Sequence, residues 1–273
     1  MTPFSPETAA RAMMPKDLLG EASSLHLCLH LSAGYMQVAL AEAAGSDFQW
    51  AEDFAPEQIK HTYADAVDFT AGRNWQEKVF RKCTLTFDTA AFALVPNAFF
   101  DATKERELLE FQTGKKALST AHLPLPEMDA VMIFEQDPLV RELIKQFPNV
   151  RIFPTAYLFV KHALLRAERE ESALHISRIG HQMLLCVVKN KKLLLLNHFE
   201  VQSDEDVLYH ASNAAMRLGI DFENAQLSLY EVPQAEGLTT LLKGYNKHVK
   251  PAFTDEGKKV RASFPAHLHI LCA

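Results

Sequence analysis

Leu29-His30-Leu31-Ser32 recurs about half a chain later as Leu174-His175-Ile176-Ser177, and each copy is followed by a glycine, Gly34 or Gly180, and a further apolar run. An internal repeat of this span makes one architecture appear twice in the chain. Outward from the second copy, residues 173–176 read as a strand, 178–181 as a turn and 182–189 as a second strand rich in Leu and Val. Asn190-Lys191 turns the chain into a third strand over 193–198. Ser203 then stands as a helix N-cap with Asp206 three residues on, a relative of the capping box. Val207, Leu208, Ala211, Ala214, Ala215 and Leu218 follow at helical spacing, and Gly219 stops the helix. A strand over 226–230, a helix over 236–245 and a last strand over 267–271 give the order βββαβαβ.

The first half opens the same way. Strands are expected over 25–31, 35–43 and 47–53, with turns at Ser32-Ala33-Gly34 and Gly45-Ser46. A short helix over 74–81, strands over 84–87, 92–95, 116–123 and 131–134, and a helical region from Pro96 through Leu109 come next. Pro138 opens a helix to Phe147, which Pro148 and Asn149 end. Thr155 caps a helix to about Glu170. The organisation is an N-terminal extension over 1–24, a first lobe over 25–154 and a second over 155–273.

Composition narrows the function classes. The 273 residues carry 28 basic and 34 acidic side chains, a formal charge of −6, with 48% apolar residues. That balance lacks the clustered cations that nucleic acid or an anionic membrane demands, so neither is expected as a partner. Lys189-Asn-Lys-Lys192, and Lys258, Lys259 and Arg261 near Lys247 and Lys250, read as solvated charge. No apolar run approaches the roughly 20 residues of a membrane span, and the N-terminus has no signal-like apolar stretch, so a cytoplasmic location is expected. The cysteines, Cys28, Cys83, Cys186 and Cys272, are single and read as reduced core residues rather than metal ligands. His26 and His30 would lie about 13 Å apart on a strand and His267 and His269 about 7 Å, so neither pair holds a metal alone.

A duplicated α/β unit of βββαβα type, each copy opening with three antiparallel strands, resembles the actin-like ATPase fold, a ribonuclease H-like fold shared by actin, hexokinase and the heat-shock chaperones. Phe92-Ala-Leu-Val-Pro96, Arg151-Ile-Phe-Pro-Thr155 and Gln182-Met-Leu-Leu-Cys-Val-Val-Lys189 are similar to a bacterial family of uncharacterised function assigned to that fold. The resemblance implies two lobes with a cleft between them, in which the first hairpin of each lobe would approach nucleotide phosphates through an Asp-x-Gly turn.

Here those turns are altered. The matched acids are His30 and His175, the matched glycines are Ser32 and Ser177, and Gly34 and Gly180 stand two residues further on. A neutral imidazole does not replace a carboxylate that orients hydrated Mg²⁺. The expected Gly-Gly turn near the C-terminus reads Glu231-Val232-Pro233, with Gly237 after it. The leading expectation is therefore a non-catalytic interaction or scaffold module without a cofactor, with a protein partner or a second copy of itself. The alternative is an ATP- and Mg-binding ATPase or small-molecule kinase with a rebuilt site. In that case Ser32, Gly34, Ser177, Arg178 and Gly180 would line the cleft with His30, His175 and His181, and Asp88, Asp129 or Asp204 would supply a carboxylate.

Overall fold

The computed structural model describes residues 18–32, 35–43, 47–54, 78–137, 140–141, 144–145, 147, 149–167, 171–231, 236–253, 260, 262 and 264–272. The first hairpin pair is β1 (Leu25–Ser32), β2 (Tyr35–Glu42) and β3 (Phe48–Phe54). Then come β4 (Lys82–Phe87), β5 (Phe92–Pro96), α1 (Glu105–Thr113), β6 (Thr120–Leu125), β7 (Ala130–Glu135), β8 (Arg151–Pro154) and α2 (Thr155–Arg166). The second half holds β9 (Ser172–Ile179), β10 (Gln182–Lys189), β11 (Lys192–Glu200), α3 (Asp204–Arg217), β12 (Gln226–Glu231), α4 (Glu236–Lys243), β13 (Val249–Pro251) and α5 (Phe264–Cys272). The expected helix over 74–81 lies outside the described residues up to Asn74-Trp75-Gln76-Glu77, as do Gly34, Val232-Pro233, Lys258, Lys259 and Arg261.

The repeat is structural. One sheet runs β3-β2-β1-β4-β8 and the other β11-β10-β9-β12-β13, the same order with the same antiparallel and parallel pairings. His30 in β1 lies beside Gln37 and Thr86, and His175 in β9 beside Cys186 and Ser228. The first lobe carries an insertion between β4 and β8, in which α1 covers one face of a three-stranded sheet ordered β5-β7-β6. The capping box at Ser203 forms as its sequence implies: Asp206 N–H donates to Ser203 Oγ and Ser203 N–H returns the bond to the Asp206 carboxylate.

The alternation of β1 has a different origin from that of a surface strand. Leu25, Leu27, Leu29 and Leu31 enter the large core, but His26, Cys28, His30 and Ser32 on the opposite face are buried as well. A helix covers that second face, and it is α5. The strand expected over 267–271 is corrected accordingly: His267-Leu-His-Ile-Leu alternates like a strand, yet 264–269 is buried on every side, so no helical stripe shows in the sequence. Ala266 packs against Cys28, Ala39, Ala41 and Phe48. Its N–H donates to Gln37 Oε1 on β2 at 2.7 Å, which satisfies one of the free donors of the first helical turn.

Counting each half as a sheet with the helix that follows it, so that α2 closes the first half although the expected lobe boundary lies at residue 154, the halves exchange helices. α5, at the end of the second half, lies on β1, β2 and β4, whereas α2, at the end of the first, lies on β10 and β11 as well as on β8, and the two helices touch. α2 is buried nearly all round, with Leu158, Phe159, Val160 and Ala163 fully enclosed. Each of the three larger side chains, Leu158, Phe159 and Val160, contributes about 1.5–3 kcal/mol on burial, so the exchange fastens each lobe to the other.

Candidate functional site

The site builds from the polar faces of β1 and β9. In the first lobe, a buried chain of side chains crosses the sheet onto α5. His26 Nε2 lies 2.8 Å from Thr84 Oγ1, and Thr84 Oγ1 lies 2.6 Å from His269 Nδ1. His269 Nε2 lies 2.9 Å from Thr86 Oγ1, which in turn lies 2.9 Å from His30 Nδ1. In the second lobe, Tyr230 plays the bridging part: its hydroxyl is 2.6 Å from His162 Nδ1 on α2 and 3.1 Å from His175 Nδ1 on β9. Each repeat histidine is thus tied through a hydroxyl to a histidine on the exchanged helix.

Burial sets the charge of these rings. Loss of hydration lowers His175 to about 3 and His26 and His162 to about 4, with nearby cations adding to the effect. It lowers His30 and His269 too, the latter well below the usual histidine value. All five are neutral at neutral pH, so none presents positive charge to a phosphate. Burial likewise pushes the Cys83 thiol up to about 12 and raises Cys28 and Cys186.

The remaining sequence candidates divide. Ser32 and Ser177 are buried at the ends of β1 and β9. Arg178 pairs with Asp204 and donates through Nε to Gly180 O at 3.1 Å, so its charge is met within the lobe. A Cβ on Gly237 would stand 3.0 Å from Asp204 Oδ2, which shows how closely α4 approaches that ion pair. Gly180 has φ of +56°, and the tight β9–β10 turn is what requires glycine there. His181 Nδ1 turns to Val201 O, 3.1 Å away. Asp129 accepts a 2.6 Å bond from Asn97 Nδ2 on the insertion. His267 and His269 point to different partners, His267 stacking on Phe253 and His269 reaching the threonines of β4. No group of three metal-binding side chains occurs among the described residues.

Asp88 is the carboxylate that reaches the seam between the lobes. It follows β4, its N–H donating to Leu31 O at 2.9 Å. With Thr155 at the start of α2 it forms one wall of a cavity of about 10 Å³, and Ser177, Gln182 and His198 form the other. That volume admits about one water molecule. Sequence reasoning singled out Asp88, Ser177 and the two repeat histidines. It missed Thr84, Thr86, His162 and Tyr230, whose partners lie 55 to 185 residues away along the chain.

Two lobes with one repeated strand order and an insertion in the first lobe define an actin-like ATPase fold. The chain belongs to the family described as protein of unknown function DUF3822, whose model matches residues 17–249. A Bacteroides thetaiotaomicron protein with an actin-like ATPase fold and unknown function is similar over 95% of this chain and 100% of its own, at 14% identity and a TM-score of 0.76. A PilM-PilN type IV pilus biogenesis complex is similar at 12% identity and a TM-score of 0.55, covering 86% of this chain and 90% of the other. A search of curated proteins finds no match. No helix among the described residues is long and apolar enough to cross a membrane.

Proposed function

We propose that this protein is a non-catalytic interaction module in which the nucleotide cleft of an actin-like fold has been closed and its two lobes act as one body that binds another protein. The observation that carries this reading is the seam cavity of about 10 Å³. Small-molecule sites usually occupy about 300–1,000 Å³, so the space between the lobes among the described residues is too small for a nucleoside triphosphate. Parting the lobes would pull α2 and α5 from the sheets they cover. The neutral His30 and His175 at the matched acid positions, and Arg178 held by Asp204, support the same reading.

A protein partner suits the surface of the insertion, where Phe99, Phe111 and Leu118 are exposed. The related fold in the PilM-PilN complex offers a precedent for protein binding. Asp88 favours the second reading, an ATP-binding protein that opens to admit nucleotide and uses this carboxylate near Mg²⁺. Thermal unfolding with and without millimolar Mg-ATP separates the two. The interaction module keeps its Tm unchanged, and a rise that saturates with ATP establishes the nucleotide site instead.

A further inference from the structure

Five buried polar atoms have no hydrogen-bond partner among the described residues: His30 Nε2, Ser32 Oγ, Asp88 Oδ1, Thr155 Oγ1 and His175 Nε2. Asp88 and Thr155 line the cavity between the lobes, whereas His30, Ser32 and His175 do not. His30 and Ser32 alternate on one face of β1, and Asp88 is bonded through its backbone to Leu31 between them. Phe87 pairs with Pro154, which brings Thr155 beside Asp88. His175 holds the repeat position in β9, two residues before Ser177 on the far wall of the cavity.

Buried polar groups in folded proteins find partners, and an ordered water supplies them where side chains do not. The cavity at Asp88 and Thr155 has both requirements for one: about 10 Å³ of room and several polar groups around it. We infer that a single ordered water molecule occupies this cavity and bridges the lobes, donating to Asp88 Oδ1, accepting from the Thr155 hydroxyl and meeting Ser177 or Gln182 opposite. Water fits better than a cation. Asp88 is only partly buried, so solvent meets part of its charge, and the positive end of the twelve-residue helix α2 stands at the same wall. What the enclosed oxygen lacks is a donor, not a counter-charge. Thr155, 2% exposed, positions the water.

This inference rests on the closed cleft of the proposed function. The two fail separately, because the nucleotide test adds ATP whereas the water is read in nucleotide-free protein. The experiment is a high-resolution crystal structure of the nucleotide-free chain, paired with oxygen-17 magnetic relaxation dispersion of wild type, Thr155→Ser and Thr155→Val. Expected are one ordered water within hydrogen-bond distance of Asp88 Oδ1 and Thr155 Oγ1, a long-lived water signal kept in Thr155→Ser, and loss of about one such water in Thr155→Val. The wild-type density stands as a test even if Thr155→Val does not fold. A cavity without ordered density, an anomalous peak there after a thallium soak, or a side chain donating to Asp88 Oδ1 overturns the inference.

Discussion

His162 Nδ1 lies 2.6 Å from the Tyr230 hydroxyl, which joins the helix closing the first half of the chain to a central strand of the second. The same hydroxyl reaches His175 in the repeat, and the Tyr230 ring packs edge-on against Phe159, Phe253 and Phe264. One side chain thus gathers both exchanged helices and the polar face of β9.

Tyr230→Phe keeps the ring and removes the hydroxyl, leaving two buried imidazole nitrogens short of this partner. The expected loss is about 1–3 kcal/mol in urea unfolding. Tyr209→Phe is the control, since Tyr209 is 63% exposed and its change is expected to stay within about 0.5 kcal/mol. Equal effects from the two substitutions would argue against the bridging role.

Gln37→Leu tests the seating of the C-terminal helix. Gln37 accepts from Ala266 N–H and donates to Asp53, both at 2.7 Å. Losing a buried acceptor for a helix N–H is expected to cost about 1–3 kcal/mol. Hydrogen exchange should rise first in α5 and along β1, the strand it covers.

Acid should weaken the fold before its carboxylates titrate. His26, His162 and His175 have folded values of about 4, 4 and 3, below the unfolded value of 6.5. The unfolded chain therefore binds more protons between those values, so their stabilisation is complete above about pH 6.5 and is lost as pH falls towards 4 and below. Each histidine adds a slope of up to about 1.4 kcal/mol per pH unit in that window. Urea midpoints measured from pH 7.5 to 4.5 check this, and a flat profile would count against buried neutral rings.

The thiols of Cys28, Cys83 and Cys186 should resist modification in the native state. All three are buried, and burial raises each above its usual value, so little thiolate forms at neutral pH. Mass spectrometry after native alkylation should find these three unlabelled and should find them labelled after unfolding. Rapid native labelling of Cys28 would mean that α5 leaves β1 readily.

The repeat was legible because Leu-His-Leu-Ser and Leu-His-Ile-Ser occupy the same place in two sheets of the same order, and each is flanked by strong hairpin signals. The α3 capping box was legible for a similar reason, being wholly local. α5 was not, because its buried surroundings remove amphipathic periodicity and His267-Leu-His-Ile-Leu mimics a strand. The partners of His30 and His175 were also hidden. A histidine between leucines reads as an isolated core residue until the fold brings Thr86, Tyr230 and the exchanged helices beside it, and no local spacing encodes those contacts.

The closed cleft is the central claim, and amide hydrogen exchange reads it directly. Exchange would be followed along β1, β4, β9 and the first turn of α2, with and without millimolar Mg-ATP. The account predicts superimposable protection in both conditions. Protection that changes at the ends of both β1 and β9 and saturates with ATP would contradict it, placing a nucleotide between the lobes.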